Sequence, residues 1–389
     1  MKELLQMAQA DVQREGIRVR SLLQGQYRDN PEIDAAKLLA SIWSNAYQLT
    51  ALLTWRVFPE DQTIFTSTGD ISQMWLRDSS AQMLPYISLA AASPKTSPLR
   101  KVLAAAMARQ VSFILDDPYG SAFFFEHGER EDQGPSKNDC PRSPTCHACR
   151  CSDCSPACGK YTYQHNYELD SLLFPILTHY RYWRDAGETA HFTPDFEKAL
   201  HAALSVMQVE QFHHSKSSFL AKGVKSRFAD GIGLIWSFAL PSDDDALPGY
   251  NIPENMLAVV TLSQAAEIAE GPLENAQLAT TLRQLSAKID AAIHKHGVKK
   301  MDSGEEVYVF QTDGKGQATL MDDANMPNLL WLPYVGTHFT DKIYDETRKL
   351  ILSRQNRSFF QGSAASGLGS AHHSFGLRPQ HPGPQCWGH

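Results

Sequence analysis

Ser97-Pro98-Leu-Arg-Lys-Val-Leu-Ala-Ala-Ala-Met-Ala-Arg-Gln-Val-Ser-Phe-Ile-Leu-Asp116-Asp117-Pro118 reads as a complete helix with both ends marked. Ser97 offers a hydroxyl to cap free amide groups, and Pro98 suits the first helical position, where its missing N–H would have no partner. Leu99, Val102, Leu103, Ala106, Met107 and Ile114 form one apolar stripe, and Asp116-Asp117-Pro118 stops the run.

The same grammar recurs along the chain. From Ile33 to Trp55, Leu38, Leu39, Ile42, Trp43, Ala46, Leu49, Leu52 and Leu53 have helical spacing and predict one buried face. Thr193-Pro194 repeats the cap-and-proline device, and further helices are expected over Glu168–Asp185, Pro194–Phe212, Pro253–Ala269 and Leu273–His296, the last stopped by Gly297. The clearest strand is Val307–Phe310, predicted to pair with Ala318–Leu320 through the turn at Asp313-Gly314. No βαβ alternation and no fixed-period repeat is visible, so the expected fold is all-α, a closed ring of helical hairpins with functional residues on loops at one end.

A chain of 389 residues, 42 % hydrophobic and 20 % charged, is long enough for one large core and too apolar to be disordered. The net charge of −7 and the scattered Lys and Arg argue against a nucleic-acid surface. No apolar run is long enough to span a bilayer, and Met1–Arg18 lacks a signal-peptide core. A neutral, sugar-like ligand fits best.

Six of the seven cysteines lie in an insert at about residues 134–160: Cys140, Cys146, Cys149, Cys151, Cys154 and Cys158. Three disulfides, a zinc clip from the two C-x-x-C pairs, or a disordered insertion all remain open, although one intervening residue is too few for an ordinary finger. Disulfides would indicate an oxidising compartment, which the missing signal peptide does not. The sequon Asn356-Arg-Ser358 does not decide between them, so no compartment is assigned.

Four acidic loops carry chemistry. Thr68–Gln82 combines Asp70, Trp75, Arg77 and Asp78, the mixture of planar polar groups and an aromatic face that holds a sugar ring; the plain alternative is a helix start with Asp78 capping and Arg77 paired at the surface. Pro241-Ser-Asp243-Asp244-Asp245 crowds carboxyls, which raises one pKa and makes a general acid, or else forms a solvated acidic turn or a calcium loop. Asp322, Asp323 and Asn325 either cap the following helix, expected over Asn328–Tyr334, or hold hydroxyls. Tyr167-Glu-Leu-Asp170-Ser places acids at a helix start, where they complement the dipole.

Together, Gly69-Asp70, Met74-Trp-Leu-Arg-Asp-Ser79, Tyr167-Glu-Leu-Asp-Ser171, Leu234-Ile-Trp236, Pro241-Ser-Asp-Asp244, Ile252-Pro253 with Asn255-Met256, Met321-Asp-Asp-Ala-Asn325 and Gly367-Leu-Gly369-Ser370-Ala-His372 resemble glycoside hydrolase family 125, the exo-acting α-1,6-mannosidases. The resemblance implies an (α/α)6 toroid and cofactor-free, metal-independent, inverting hydrolysis of glycans ending in α-1,6-mannose. An inverting enzyme sets its acid and base about 6.5–9.5 Å apart. The implied general acid is Asp243 or Asp244; the implied sugar-binding residues are Asp70, Trp75, Arg77, Asp78, Asp322, Asp323, Asn325 and His372, with Asp170 and Asp323 alternatively acting as caps.

The departures matter as much. Ala239-Leu240 stands where the family has Phe-Arg, and Gln164-His165-Asn166 replaces a basic, acid-containing stretch. The match lapses near Phe375, and no Glu follows Glu346, so the family's general base and closing helices are expected to be missing from a domain of residues 1–375 with a foreign tail, 376–389, such as a frame shift or misread intron produces. The alternative function is a mannoside-binding protein without turnover.

Overall fold

The computed structural model describes residues 1–26, 33–126, 158–219, 227–242, 244, 246, 249–336, 338–363 and 365–370. Helices dominate. In chain order they are α1 (Lys2–Gln26), α2 (Ile33–Thr54), α3 (Leu76–Ala92), α4 (Pro98–Asp116), α5 (Leu169–Ala186), α6 (Pro194–Glu210), α7 (His213–Lys216), α8 (Ile252–Glu270), α9 (Ala276–His296), α10 (Leu332–Val335) and α11 (Lys342–Ile351). Ser97, Thr193 and Asn251 cap α4, α6 and α8 through their side chains, each with proline in the first turn. Gly187, at φ 68°, closes α5 in the left-handed conformation that glycine adopts without strain.

Packing sorts the helices into two sets. α1 lies on α4 and α4 on α6, while α3 lies on α5 and α5 on α8, with α9 backing α8. The second set is the inner one: Leu169 to His179 of α5 is buried without a break, and α8 is buried on nearly every side. A large apolar core runs through α5, α6, α8 and α9, and a second joins α1, α3 and α4. No described helix is long and apolar enough to cross a membrane.

Three expectations are corrected. First, α2 forms, but its apolar stripe faces outward: Leu38, Leu39, Ile42, Trp43, Leu49 and Leu53 are all exposed. Small and polar residues make the packed face instead, with the Ser44 hydroxyl donating to the Gly16 carbonyl at 2.9 Å and Ala40 and Ala51 buried. Second, the predicted 307–320 hairpin is re-paired. Val307 belongs to a strand, Glu306–Tyr308, that pairs with Val298–Lys300, and Ala318 pairs with Thr312 across the Asp313-Gly314 turn. Among the described residues, twelve short strands form five small sheets, where a single hairpin was expected. Third, the helix expected over 328–334 is the single turn α10, Leu332–Val335. Of the insert, only Cys158 onward is described, and Cys158 is disulfide-bonded. The tail from residue 371 lies outside the described residues.

His179 of α5 and His191, in the loop before α6, are buried with ring centroids 5.1 Å apart. Burial holds His179 well below the usual imidazole range and lowers His191 to about 4. Both are therefore neutral in the fold at pH 7, and the unfolded chain binds more protons than the folded one between about pH 6.5 and 4. Stability should fall as pH drops through that window, by about 3 kcal/mol from His191 alone. Denaturant unfolding of His191→Asn across the same range should lose this share of the slope; profiles parallel to wild type would contradict it.

Candidate active site

The starts of α3, α5 and α8 converge on one buried charged group. Arg77, in the first turn of α3, places Nη1 2.9 Å from Glu168 Oε2 and 3.0 Å from Asp170 Oδ2, while its Nε lies 3.6 Å from Asp78. Glu168 is the N-cap residue of α5 and Asp170 lies in its first turn; both are buried. Glu254 occupies the first turn of α8 and is fully buried. Burial raises the Glu254 carboxyl well above the usual range, Asp170 and Glu168 push in the same direction, and the Ser237 hydroxyl and Arg77 oppose the rise. Arg77 is thus paired in the interior, not at the surface. Asp170 complements the α5 N-terminus and balances Arg77 as well.

The segment before the acid loop is fastened to this group. Ser237 accepts from Leu169 N at 3.1 Å, and Phe238 N donates to the Tyr167 carbonyl at 2.9 Å. The Asn255 amide clamps the same strip to α8, accepting from Ile235 N at 2.8 Å and donating to the carbonyls of Ile235 and Asn251 at 3.0 and 2.8 Å. Trp236 stacks on His213 at 3.7 Å, and His213 Nδ1 bonds Glu210 at 2.7 Å. The loop then turns on itself: Leu240 N donates to the Asp244 carbonyl at 2.8 Å, and the Ser242 hydroxyl to Asp244 Oδ2 at 3.0 Å.

The remaining sequence-derived residues divide. Trp75 is half-buried with its ring edge-on to Tyr163, and Asp78 is half-buried beside Arg77. Asp322 is buried, accepts from Leu330 N at 3.3 Å, and is raised well above the carboxylate range chiefly by that burial. Asp323 accepts from Asn325 N at 2.8 Å, and Asn325 donates to Ser370 at 3.0 Å. Asp70 is exposed and accepts from Ile71 N within its own turn at 3.0 Å, so it is not drawn into the charged group. Asp243 and His372 lie outside the described residues.

Glu168 was legible only as one of the acids at a helix start, and Glu254 was not singled out from sequence. The signal for Glu254 is a lone acid in Ile252-Pro-Glu-Asn-Met-Leu-Ala-Val-Val260, a run too apolar to leave any face to water. Asp117, Cys158 and His165 bring ligand atoms within 4.8 Å of one another. The Cys158 sulfur is held in a disulfide, and Asp117 Oδ2 already serves Thr162 and His165 at 2.8 Å each. The group organises a turn and offers no thiolate. A groove of about 290 Å³ between α3, α5 and α10 is lined mainly by apolar side chains, Leu84, Phe174, Leu177, Trp331 and Tyr334, with Met326 beside the 322–325 loop and with Arg181 and Asp185.

Comparison with known proteins gives a consistent set. Residues 36–378 match the family described as metal-independent alpha-mannosidase (GH125). The Meiotically up-regulated gene 157 protein of Schizosaccharomyces pombe is 30% identical over 339 residues, covering 80% of this chain; the chain spans 62% of that protein's length. A solved structure from Streptococcus pneumoniae, of a metal-independent alpha mannosidase in a non-productive complex with alpha-1,6-mannobiose, is similar at 32% identity and TM-score 0.75. That similarity covers 92% of this chain and 81% of the other.

Asn255 spends its whole amide on three buried bonds, each worth about 1 kcal/mol net. Asn255→Ala should cost about 2–3 kcal/mol in urea unfolding, and Asn255→Asp at least as much because it buries a charge in place of a donor. A loss below about 0.5 kcal/mol would show that this clamp does not hold the loop.

Proposed function

The chain belongs to glycoside hydrolase family 125, and on that premise we propose that it is an exo-acting α-1,6-mannosidase that inverts configuration without a metal. The supporting observation is the seating of the strip before the acid loop on the Tyr167–Leu169 segment, which brings Leu240 to Ser242 toward the end where α3, α5 and α8 begin. The similarity to a structure holding alpha-1,6-mannobiose supplies the substrate class.

In this reading Asp243 or Asp244 protonates the leaving oxygen. Trp75 offers its ring to the apolar side of the mannose, and Asp78 holds a hydroxyl. Arg77 is engaged by Glu168 and Asp170, so its part is to position Asp78. Asp322, Asp323 and Asn325 shape a second wall, with Asp70 at its margin; the family resemblance adds His372 to the residues that hold the sugar. The proton moves from the acid to the glycosidic oxygen as the bond breaks; activating water on the opposite face falls in the family to a Glu that this sequence does not match, since no Glu follows Glu346.

A second reading, a mannoside-binding protein without turnover, is favoured by Ala239 and Leu240. Both are buried among apolar side chains, Leu240 packing with Phe310 and Met321, at the place where the family resemblance expects a cation.

Incubation with α-1,6-mannobiose followed by NMR should show β-mannose as the first product, released about 10²–10⁴-fold more slowly than by a chain carrying the family's base. Asp243→Asn or Asp244→Asn, whichever removes the acid, should lower kcat by about 10²–10⁴, with partial rescue by an activated leaving group. Binding without release in the unmodified chain would select the second reading, and neither binding nor release would defeat both.

A further inference from the structure

Glu254 takes no part in the reaction as proposed above, yet it is the most costly residue in the inner helices to bury. Ile252, Met256, Leu257 and Ala258 around it are each fully buried, and neither carboxyl oxygen meets a hydrogen-bond partner among the described residues. The charged and titratable groups that face it are Asp170 and Glu168 from α5, Tyr167 just before α5, and Arg77 from α3. Among the described residues, one cation therefore stands against three carboxylates already paired with it, those of Glu168, Asp170 and Asp78. A further negative charge would find, among the described residues, only the partial positive charge of the α8 N-terminus, which is too small to offset the desolvation of a buried carboxylate and the repulsion of Asp170.

We propose that Glu254 is a positioning residue that carries a proton facing Asp170 throughout the working pH range, leaving Arg77 to Glu168 and Asp170 and keeping the acid loop seated on the start of α5. The loop is reached through Ser237, which stands beside Glu254, accepts from Leu169 N and donates to the Ala239 carbonyl at 2.8 Å. Ionised, Glu254 would compete for Arg77 and push Asp170 away, loosening the α3–α5 contact and the loop together. The proton itself is independent of the mannosidase reading; its consequence for the sugar site rests on that reading.

The experiment compares the full chain with Glu254→Gln, which keeps the shape and stays neutral. A carboxyl protonated in the fold and ionised in the unfolded chain makes stability fall as pH rises above about 4.5. The unfolding constant of wild type relative to E254Q should therefore rise by about tenfold per pH unit between pH 5 and 7; a flat ratio would overturn the proposal. Should E254Q fail to fold, infrared spectra of the wild-type chain with isotope-labelled glutamate must still show a carboxylic-acid carbonyl band at neutral pH, and its absence would overturn it equally. Calorimetry with α-1,6-mannobiose supplies the second arm. Wild-type affinity should weaken on the alkaline side and E254Q should hold it, while identical pH profiles would remove the positioning role. No binding by either protein would refute the mannoside reading and leave the unfolding ratio to decide the proton.

Discussion

One guanidinium holds the working end of this molecule together. Arg77 enters at the first turn of α3 and meets both Glu168 and Asp170, the cap and first turn of α5, through the same nitrogen. Burying that cation without its acids, or the acids without it, would leave uncompensated charge in the interior, which costs several kcal/mol. The start of α3 therefore cannot shift relative to the start of α5 without breaking the ion pairs. Because the 235–240 strip is hydrogen-bonded to the same stretch of α5 and clamped to α8 by Asn255, the fixed point reaches three helices and the acid loop.

This arrangement turns local helix chemistry into a binding end. Each of the three helix starts brings a partial positive charge that favours an acid in the first turn, and each has one: Asp78, Asp170 and Glu254. Singly these would be ordinary helix-start residues. Brought together where the three helices begin, they require a shared cation and protonation of Glu254, and they leave Asp78 and Trp75 half-buried at the edge. Function in a family 125 chain would then grow from the same constraint that sets the fold.

Much of this was legible in the residues. Ser97-Pro98, Thr193-Pro194 and the apolar stripes behind them announce helices because caps and periodicity act over a few residues. The grouping of Asp, Arg and Trp at 70–78 and of carboxyls at 241–245 signals chemistry for the same local reason. What stayed hidden depends on partners far along the chain. The stripe on α2 has helical spacing whether or not anything covers it, so its exposure could not be read. Val307 and Ala318 both suit strands, and only tertiary pairing chose Val298–Lys300 for one and Gln311–Thr312 for the other. Glu254 drew no reading from sequence, because an acid in the first turn of a helix is ordinary until the burial of nearly every side of α8 makes it an interior one.

The most direct measurement of the central claim is a double-mutant cycle in urea unfolding with Arg77→Met, Asp170→Asn and the pair. If the buried ion pair fixes α3 against α5, each single change destabilises the chain and the double mutant recovers part of the loss, giving a coupling of at least about 1.5 kcal/mol. Additive losses, with no coupling between two residues whose atoms lie 3.0 Å apart, would contradict the account.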